Sequence, residues 1–204
     1  MNKITIGITI ATVLIVVAGA VIYVMNDNHE RGHNDPIDEG KILTVYFTWS
    51  NTTEQMADYI HGKVGGDIVR LNPTDPYPYP PNEDNYQLTA DRAKQERDSD
   101  SRPTFENLGV NPEDYDTIFI GYPIWWYTVP MIINTFFDSY DLSGKTIVPF
   151  NTHQGSRDGG TYDHIRELEP NAKVCNGIFI HNFDTLSDSI KKEVDEWLAE
   201  LGFE

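Results

Sequence analysis

From residue 41 onward, runs of strand length alternate with stretches of helical period, and this alternation restricts the possible folds more than any other feature of the chain. Ile42-Leu43-Thr44-Val45-Tyr46-Phe47 is a continuous apolar run, as expected of a buried strand. Thr53 to Val64 places Met56, Ala57, Ile60 and Val64 on one helical stripe and closes at Gly65-Gly66. Asp67 to Leu71 reads as a second strand. The Pro-rich stretch Asn72 to Asn82 must be loop, because Pro supplies no N–H and disfavours helix at the residue before it. A polar helix over Asn85 to Arg97, a strand over Asp116 to Gly121, a helix over Pro130 to Tyr140 and a strand over Thr146 to Phe150 follow. A helix over Thr161 to Leu168, a fifth strand over Lys173 to Ile180 and a final helix over Ser187 to Leu201 complete the pattern. Parallel strands need crossovers, and helices supply them, so the expectation is an α/β fold with a doubly wound five-stranded parallel sheet.

The first 40 residues differ from the rest. Ile4 to Met25 is 22 residues without a charge. As a helix it would reach about 33 Å, enough for a hydrocarbon core of about 30 Å. Its few polar members, Thr5, Thr9 and Thr12, are tolerable in lipid, so the run reads as one apolar N-terminal helix anchoring the chain. A cleaved signal peptide is the competing reading, with Ala18-Gly19-Ala20 as the small-residue site, although Val21 to Met25 continue the apolar run past it. Lys3 precedes the run and Asp27, Glu30 and Arg31 follow it, which places the body outside the cell membrane, single-pass if anchored and secreted if cleaved. Residues 26–40 lack apolar periodicity and read as a flexible tether, leaving 41–204 as the folded domain. His29 and His33 are solvated tether residues on this reading, since Gly32 and Pro36 disfavour the helix that would pair them on a metal.

Composition narrows the function classes. The chain holds 32 acidic against 15 basic residues, a formal net charge of -17, and residues 1–25 contribute only Lys3. A strongly acidic body excludes a nucleic-acid binder and suits a self-repelling, monomeric domain whose partners present basic faces. The single cysteine, Cys175, excludes an internal disulfide and a cysteine-rich metal site.

In a doubly wound sheet ligands bind beyond the carboxyl ends of the strands. Three such loops carry unusual residues. The first, Thr48-Trp49-Ser50-Asn51-Thr52-Thr53, crowds hydroxyls at a helix start, where backbone N–H groups and the helix dipole favour an anion. It has no Lys or Arg and no triple-glycine fingerprint, so it suits a monophosphate better than a triphosphate or a dinucleotide; an ordinary capped helix would use the same residues. The second, Gly121-Tyr122-Pro123-Ile124-Trp125-Trp126-Tyr127, ends in three consecutive aromatics that cannot all enter the core and offer stacking area to a planar ring. The third, Asn151-Thr152-His153-Gln154-Gly155-Ser156-Arg157-Asp158-Gly159-Gly160, offers backbone amides to the edge of a heterocycle. His153 there reads as a ring-edge or structural contact rather than an acid–base group.

Jointly these pieces resemble the flavodoxin-like family, specifically a form with a double-Trp second loop. The resemblance covers about residues 41–181 and the last helix. Its matching pieces are Tyr46 to Ser50, Pro73 to Pro78, Arg92-Ala93-Lys94, Arg102-Pro103, Gly121 to Trp126, and Pro149 to His153 with Gly155-Ser156. It implies a sheet order of 2-1-3-4-5 and FMN bound without a covalent link. The phosphate would sit in the first loop and the isoalloxazine between Pro123 to Tyr127 and Thr152 to Ser156. One departure stands out. The family commonly has Gly then Asn before the final Thr of the phosphate loop, where this chain has Asn51 and Thr52. Gly would permit a positive φ, and Asn is the next most tolerant residue.

The expected function is electron transfer by bound FMN, docked through the acidic body to a redox partner with a basic face. Acid excess and stacked aromatics disfavour the anionic hydroquinone and lower the flavin's potential. An FMN-dependent oxidoreductase acting directly on a quinone is the second expectation, although no second nucleotide motif is visible. A domain that has lost FMN and serves only interaction is the third.

Overall fold

The structure, a computed structural model, describes Ile37 and residues 40–203. The apolar run at 4–25 and the tether lie outside these residues, apart from Ile37 and Gly40. Among the described residues, no helix is long and apolar enough to cross a membrane.

The elements follow the expected alternation: β1 (Ile42–Tyr46), α1 (Thr52–Val64), β2 (Asp67–Arg70), α2 (Glu83–Asp98), β3 (Thr117–Pro123), α3 (Met131–Ser139), β4 (Thr146–His153), α4 (Thr161–Leu168), β5 (Lys173–Val174), β6 (Ile178–His181) and α5 (Asp188–Glu200). All pairings are parallel, in the order β2-β1-β3-β4-β5, with β6 also on β4. Side chains alternate between two cores. Ile42, Tyr46, Phe119, Val148 and Phe150 face α1 and α5, meeting Met56, Ile60, Val194 and Leu198. Leu43, Val45, Phe47, Ile118, Ile120 and Ile147 face α3 and α4, meeting Ile132, Phe136 and Ile165. Burial on both faces is why these strands read as continuous apolar runs. Gly121 is required in β3 because a β-carbon there would lie 2.2 Å from the Phe150 ring of β4.

Several boundaries differ from the sequence reading: α2 starts at Glu83, β3 continues through Tyr122 to Pro123, which are strand rather than loop residues, and two larger differences lie in β4 and its neighbours. The fifth strand is broken at Cys175 to Gly177. Ile147 of β4 faces Val174, yet Phe150 faces Ile178, so the partner side carries one extra residue. Pro149 lies between these two registers and has no N–H to donate, which interrupts the ladder and leaves a bulge. Gly177 fills it, since a β-carbon there would lie 2.2 Å from the Pro149 oxygen. In addition, β4 continues to His153 instead of ending at Phe150, so Asn151, Thr152 and His153 are strand residues paired to β3 or β6. The third loop proper begins at Gln154.

Candidate functional site

The carboxyl ends of β1, β3 and β4 bring the three loops together, and specific bonds fasten them. Thr53 Oγ1 lies 3.0 Å from Thr152 Oγ1 in a buried hydroxyl pair between α1 and β4. Ile124 N–H donates to Thr152 O at 2.8 Å, joining the second loop to β4. Thr52 Oγ1 reaches Phe183 O at 3.5 Å, which adds the segment after β6.

The first loop leads into the start of α1, where the helix dipole favours an anion. Asn51 caps the helix in the left-handed region, φ 64 and ψ 3, with no hydrogen bond from its side chain to the helix. This is the positive φ that the resemblance requires at this place, and Asn tolerates it because its short polar side chain fits there. Ser50 is exposed, and its hydroxyl lies 3.2 Å from that of Thr52. Thr48, Thr52 and Thr53 are buried, Thr53 against Thr152, so Ser50 is the hydroxyl most open to a ligand. Glu54 in the first helical turn would oppose an anion. It is drawn away by Tyr46, whose hydroxyl donates to Oε1 at 3.0 Å, and by Arg70 Nη1 at 3.7 Å from Oε2. Arg70 also donates from Nη2 to Thr48 O at 3.3 Å. A cation therefore stands behind a loop that has none of its own. Sequence reasoning missed it because Arg70 belongs to the end of β2.

The aromatic residues of the second loop divide their roles. Trp125 and Thr128 exchange two backbone hydrogen bonds of 3.0 Å, closing a tight turn with Trp126 at φ 50 and Tyr127 at φ 62. Two bulky residues in the left-handed region are strained, a condition that persists only where the surroundings fix it. Trp125 is half-buried and edge-on to Phe47 at 5.3 Å and to Tyr77 at 5.0 Å. Trp126 is 41% exposed and Tyr127 76%. The Trp126 indole N–H donates to Ala90 O at 2.9 Å, and the Arg97 guanidinium lies 5.5 Å from its ring centroid. Thus Trp125 is an anchor in an aromatic cluster, and Trp126 is tied to α2.

Between these parts opens a cleft of about 450 Å³, within the range of small-molecule sites. Trp49 and Tyr86 line one side, Ile124, Trp125, Trp126 and Tyr127 another, and Gln154, Gly155 and Ser156 a third. Thr89, Ala90 and Ala93 of α2 complete it, small side chains that leave room for a flat ligand. Trp49 is part of the anion loop as well as the cleft. Its N–H donates to Pro78 O at 2.8 Å, and its ring lies 6.3 Å from that of Tyr86. The sequence marks α2 as a polar helix, and its part in the cleft wall went unseen. Only Thr89, Ala93 and Glu96 of it are buried, too few to leave an apolar period.

His153 stands at the end of β4, 7% exposed. The Gly155 N–H donates to its Nδ1 at 2.9 Å, so the ring proton belongs on Nε2. Burial first, then the nearby His181 and Arg157, push its pKa down, with Asp158 opposing. This bond also takes up one of the amides expected to face a heterocycle. Among the described residues no group of His, Cys, Asp and Glu could hold a metal ion.

A family model described as Flavodoxin matches residues 41–201. Among solved structures, a candidate flavoprotein from Bacteroides eggerthii DSM 20697 is 31% identical with a TM-score of 0.66, covering 81% of this chain and 99% of that one. A candidate flavoprotein from Bacteroides uniformis ATCC 8492 is 29% identical with a TM-score of 0.67, covering 78% of this chain and 98% of that one. A flavoprotein from Lactobacillus acidophilus NCFM, solved in complex with FMN, is 21% identical with a TM-score of 0.60, covering 78% of this chain and 99% of that one. At that identity the likeness is one of fold. No curated protein matches.

Proposed function

The chain belongs to the flavodoxin family, and on that basis we propose that it binds FMN without a covalent link and transfers electrons as a membrane-tethered carrier. The observation that supports this most is the continuity of two subsites through Trp49. The start of α1, with the Ser50 hydroxyl, suits a phosphate; the aromatic cleft beside it has the volume and lining for a planar ring. The helix dipole and free N–H groups would hold the phosphate, helped by Ser50 and Thr52, with Arg70 lending charge from behind. Trp49, Ile124, Trp125, Trp126 and Tyr127 would enclose the ring, and Gln154, Gly155 and Ser156 would meet its edge. FMN, when bound, supplies one- and two-electron chemistry; this chain's residues bind it, orient it and exclude water from its faces.

The acid excess favours a basic redox partner, and residues 4–25 with the tether favour a domain held at the outer face of the cell membrane, the family member being of the double-Trp form. Direct reduction of a quinone is the second reading, favoured by the open cleft and its exposed Tyr86 and Tyr127. One experiment separates them. The FMN-loaded protein is reduced anaerobically and mixed with cytochrome c, a basic acceptor, across a range of salt. Fast transfer that slows with salt, without turnover by NADH or NADPH and a quinone, supports the carrier. Turnover with a nicotinamide and a quinone without added reductase supports the oxidoreductase. Protease digestion of intact wall-less cells that leaves the body untouched until permeabilisation overturns the proposed topology.

A further inference from the structure

Arg70, Arg92, Arg97, Arg102 and Arg166 each have a carboxylate within ion-pair distance. Among the described residues Arg157 is the arginine that has none, in a chain with more than twice as many acidic as basic side chains. It is exposed and stands directly after Ser156, which lines the cleft. Its backbone is held at φ 57 in the left-handed region, an unfavourable place for a β-carbon. The restraint comes from within. Asn151, fully buried, donates from Nδ2 to the Arg157 oxygen at 3.0 Å and accepts the Tyr162 hydroxyl at 2.9 Å on Oδ1. Thus a buried network holds the backbone of a strained arginine whose charge has no carboxylate partner.

The guanidinium lies 5.0 Å from the centroid of Phe179, a cation–π contact that leaves its N–H fork free for an oxyanion. The Phe179 ring also meets that of His153 at 5.7 Å, and the exposed His181 ring lies 5.5 Å beyond His153. Asp158, next in the chain, is the opposing charge, and it makes no ion pair with Arg157. We propose that Arg157, seated on Phe179, is an anion-recognition point at the edge of the cleft, taking the phosphate, sulfonate or carboxylate of a small planar reactant. Elsewhere the acidic body repels such a molecule, so a cation beside the cleft with no carboxylate partner selects where it lands. A basic partner protein would dock on the acidic surround instead. The proposal rests on FMN occupying the cleft as described above.

The test uses a matched pair of acceptors, naphthoquinone sulfonate and naphthoquinone, mixed with the reduced FMN-loaded full chain at low salt. Arg157→Asn is the variant of choice because Asn tolerates the left-handed backbone. Its oxidation by the sulfonate should slow about three- to fivefold, with the neutral quinone unchanged and the difference lost at high salt. Arg157→Lys should keep most of the rate. Equal loss with both acceptors, or no loss, overturns the proposal. Weakened binding of FMN but not riboflavin by Arg157→Asn would assign the arginine to the cofactor's phosphate and also overturn it. Titration of the flavin-free chain with the sulfonate, read on the His181 ring resonances, keeps the anion site separate from the flavin reading. A saturable shift that Arg157→Asn abolishes supports the site, and no shift overturns it whether or not FMN binds.

Discussion

Thr53 of α1 and Thr152 of β4 share a buried hydrogen bond of 3.0 Å, so the helix that follows the first loop is bolted to the strand that leads into the third. The hydroxyls of the first loop therefore differ: Thr53 holds the frame, and Ser50 remains exposed.

Substitutions at the two residues should part company. Thr53→Val leaves the Thr152 hydroxyl buried without a partner and should cost about 1–3 kcal/mol of stability, while Thr53→Val with Thr152→Val should recover most of it. Ser50→Ala should leave stability unchanged and cost about 1.5–3 kcal/mol of FMN affinity with riboflavin unaffected. Denaturant melts and flavin titrations read both. Loss of riboflavin affinity equal to that of FMN in Ser50→Ala would remove the serine from the phosphate site.

Asn51 occupies φ 64 without using its side chain as a cap. Asn51→Gly should therefore be tolerated, whereas Asn51→Ala should destabilise by about 1–2 kcal/mol, the strain of a β-carbon in the left-handed region. FMN affinity should follow, because the helix start must hold its N–H groups in place. Comparison of the two variants by thermal melting checks the sign, and an Ala variant as stable as wild type would show that the turn relaxes.

Trp126 and Trp125 are expected to fail differently. Trp126→Ala removes stacking area from a residue already 41% exposed and should weaken FMN by about 1 kcal/mol with little change in melting. Trp125→Ala also breaks the edge contacts to Phe47 and Tyr77 and should cost about 2–4 kcal/mol of stability. Unchanged flavin affinity in both would remove the aromatic platform from the account.

Glu169 gives a pH signature away from the site. Burial first, then Asp141 and Asp138, push its carboxyl up to about 7. Its pKa in the folded chain is raised, so below the usual carboxylate range its contribution to stability is intact, and it is lost as pH rises through about 7. Glu169→Gln should therefore match wild type in melting temperature near pH 4 and exceed it near pH 8. A gap that does not widen with pH would contradict the raised value.

The sheet and its helices were legible because strands buried on both faces leave unbroken apolar runs, and Met56, Ile60 and Ile165 mark their helices by period. The break in the fifth strand was not, because it arises from Pro149 on the neighbouring strand rather than from residues 175–177 themselves. Candidate site residues in the three loops were visible from residue type and position. The pairing of Thr53 with Thr152, Arg70 behind the first loop and the cleft wall of α2 depend on contacts between distant segments, to which no local pattern points.

Electron transfer by this chain requires the cleft to hold a flavin ring beside the start of α1. Titration of the purified chain with FMN, followed by flavin fluorescence, tests that directly. We expect saturable quenching at one FMN per chain, a perturbed visible spectrum, and much weaker binding of riboflavin. Fluorescence and spectrum identical to free FMN at every protein concentration would contradict the account, leaving a flavodoxin fold without its flavin.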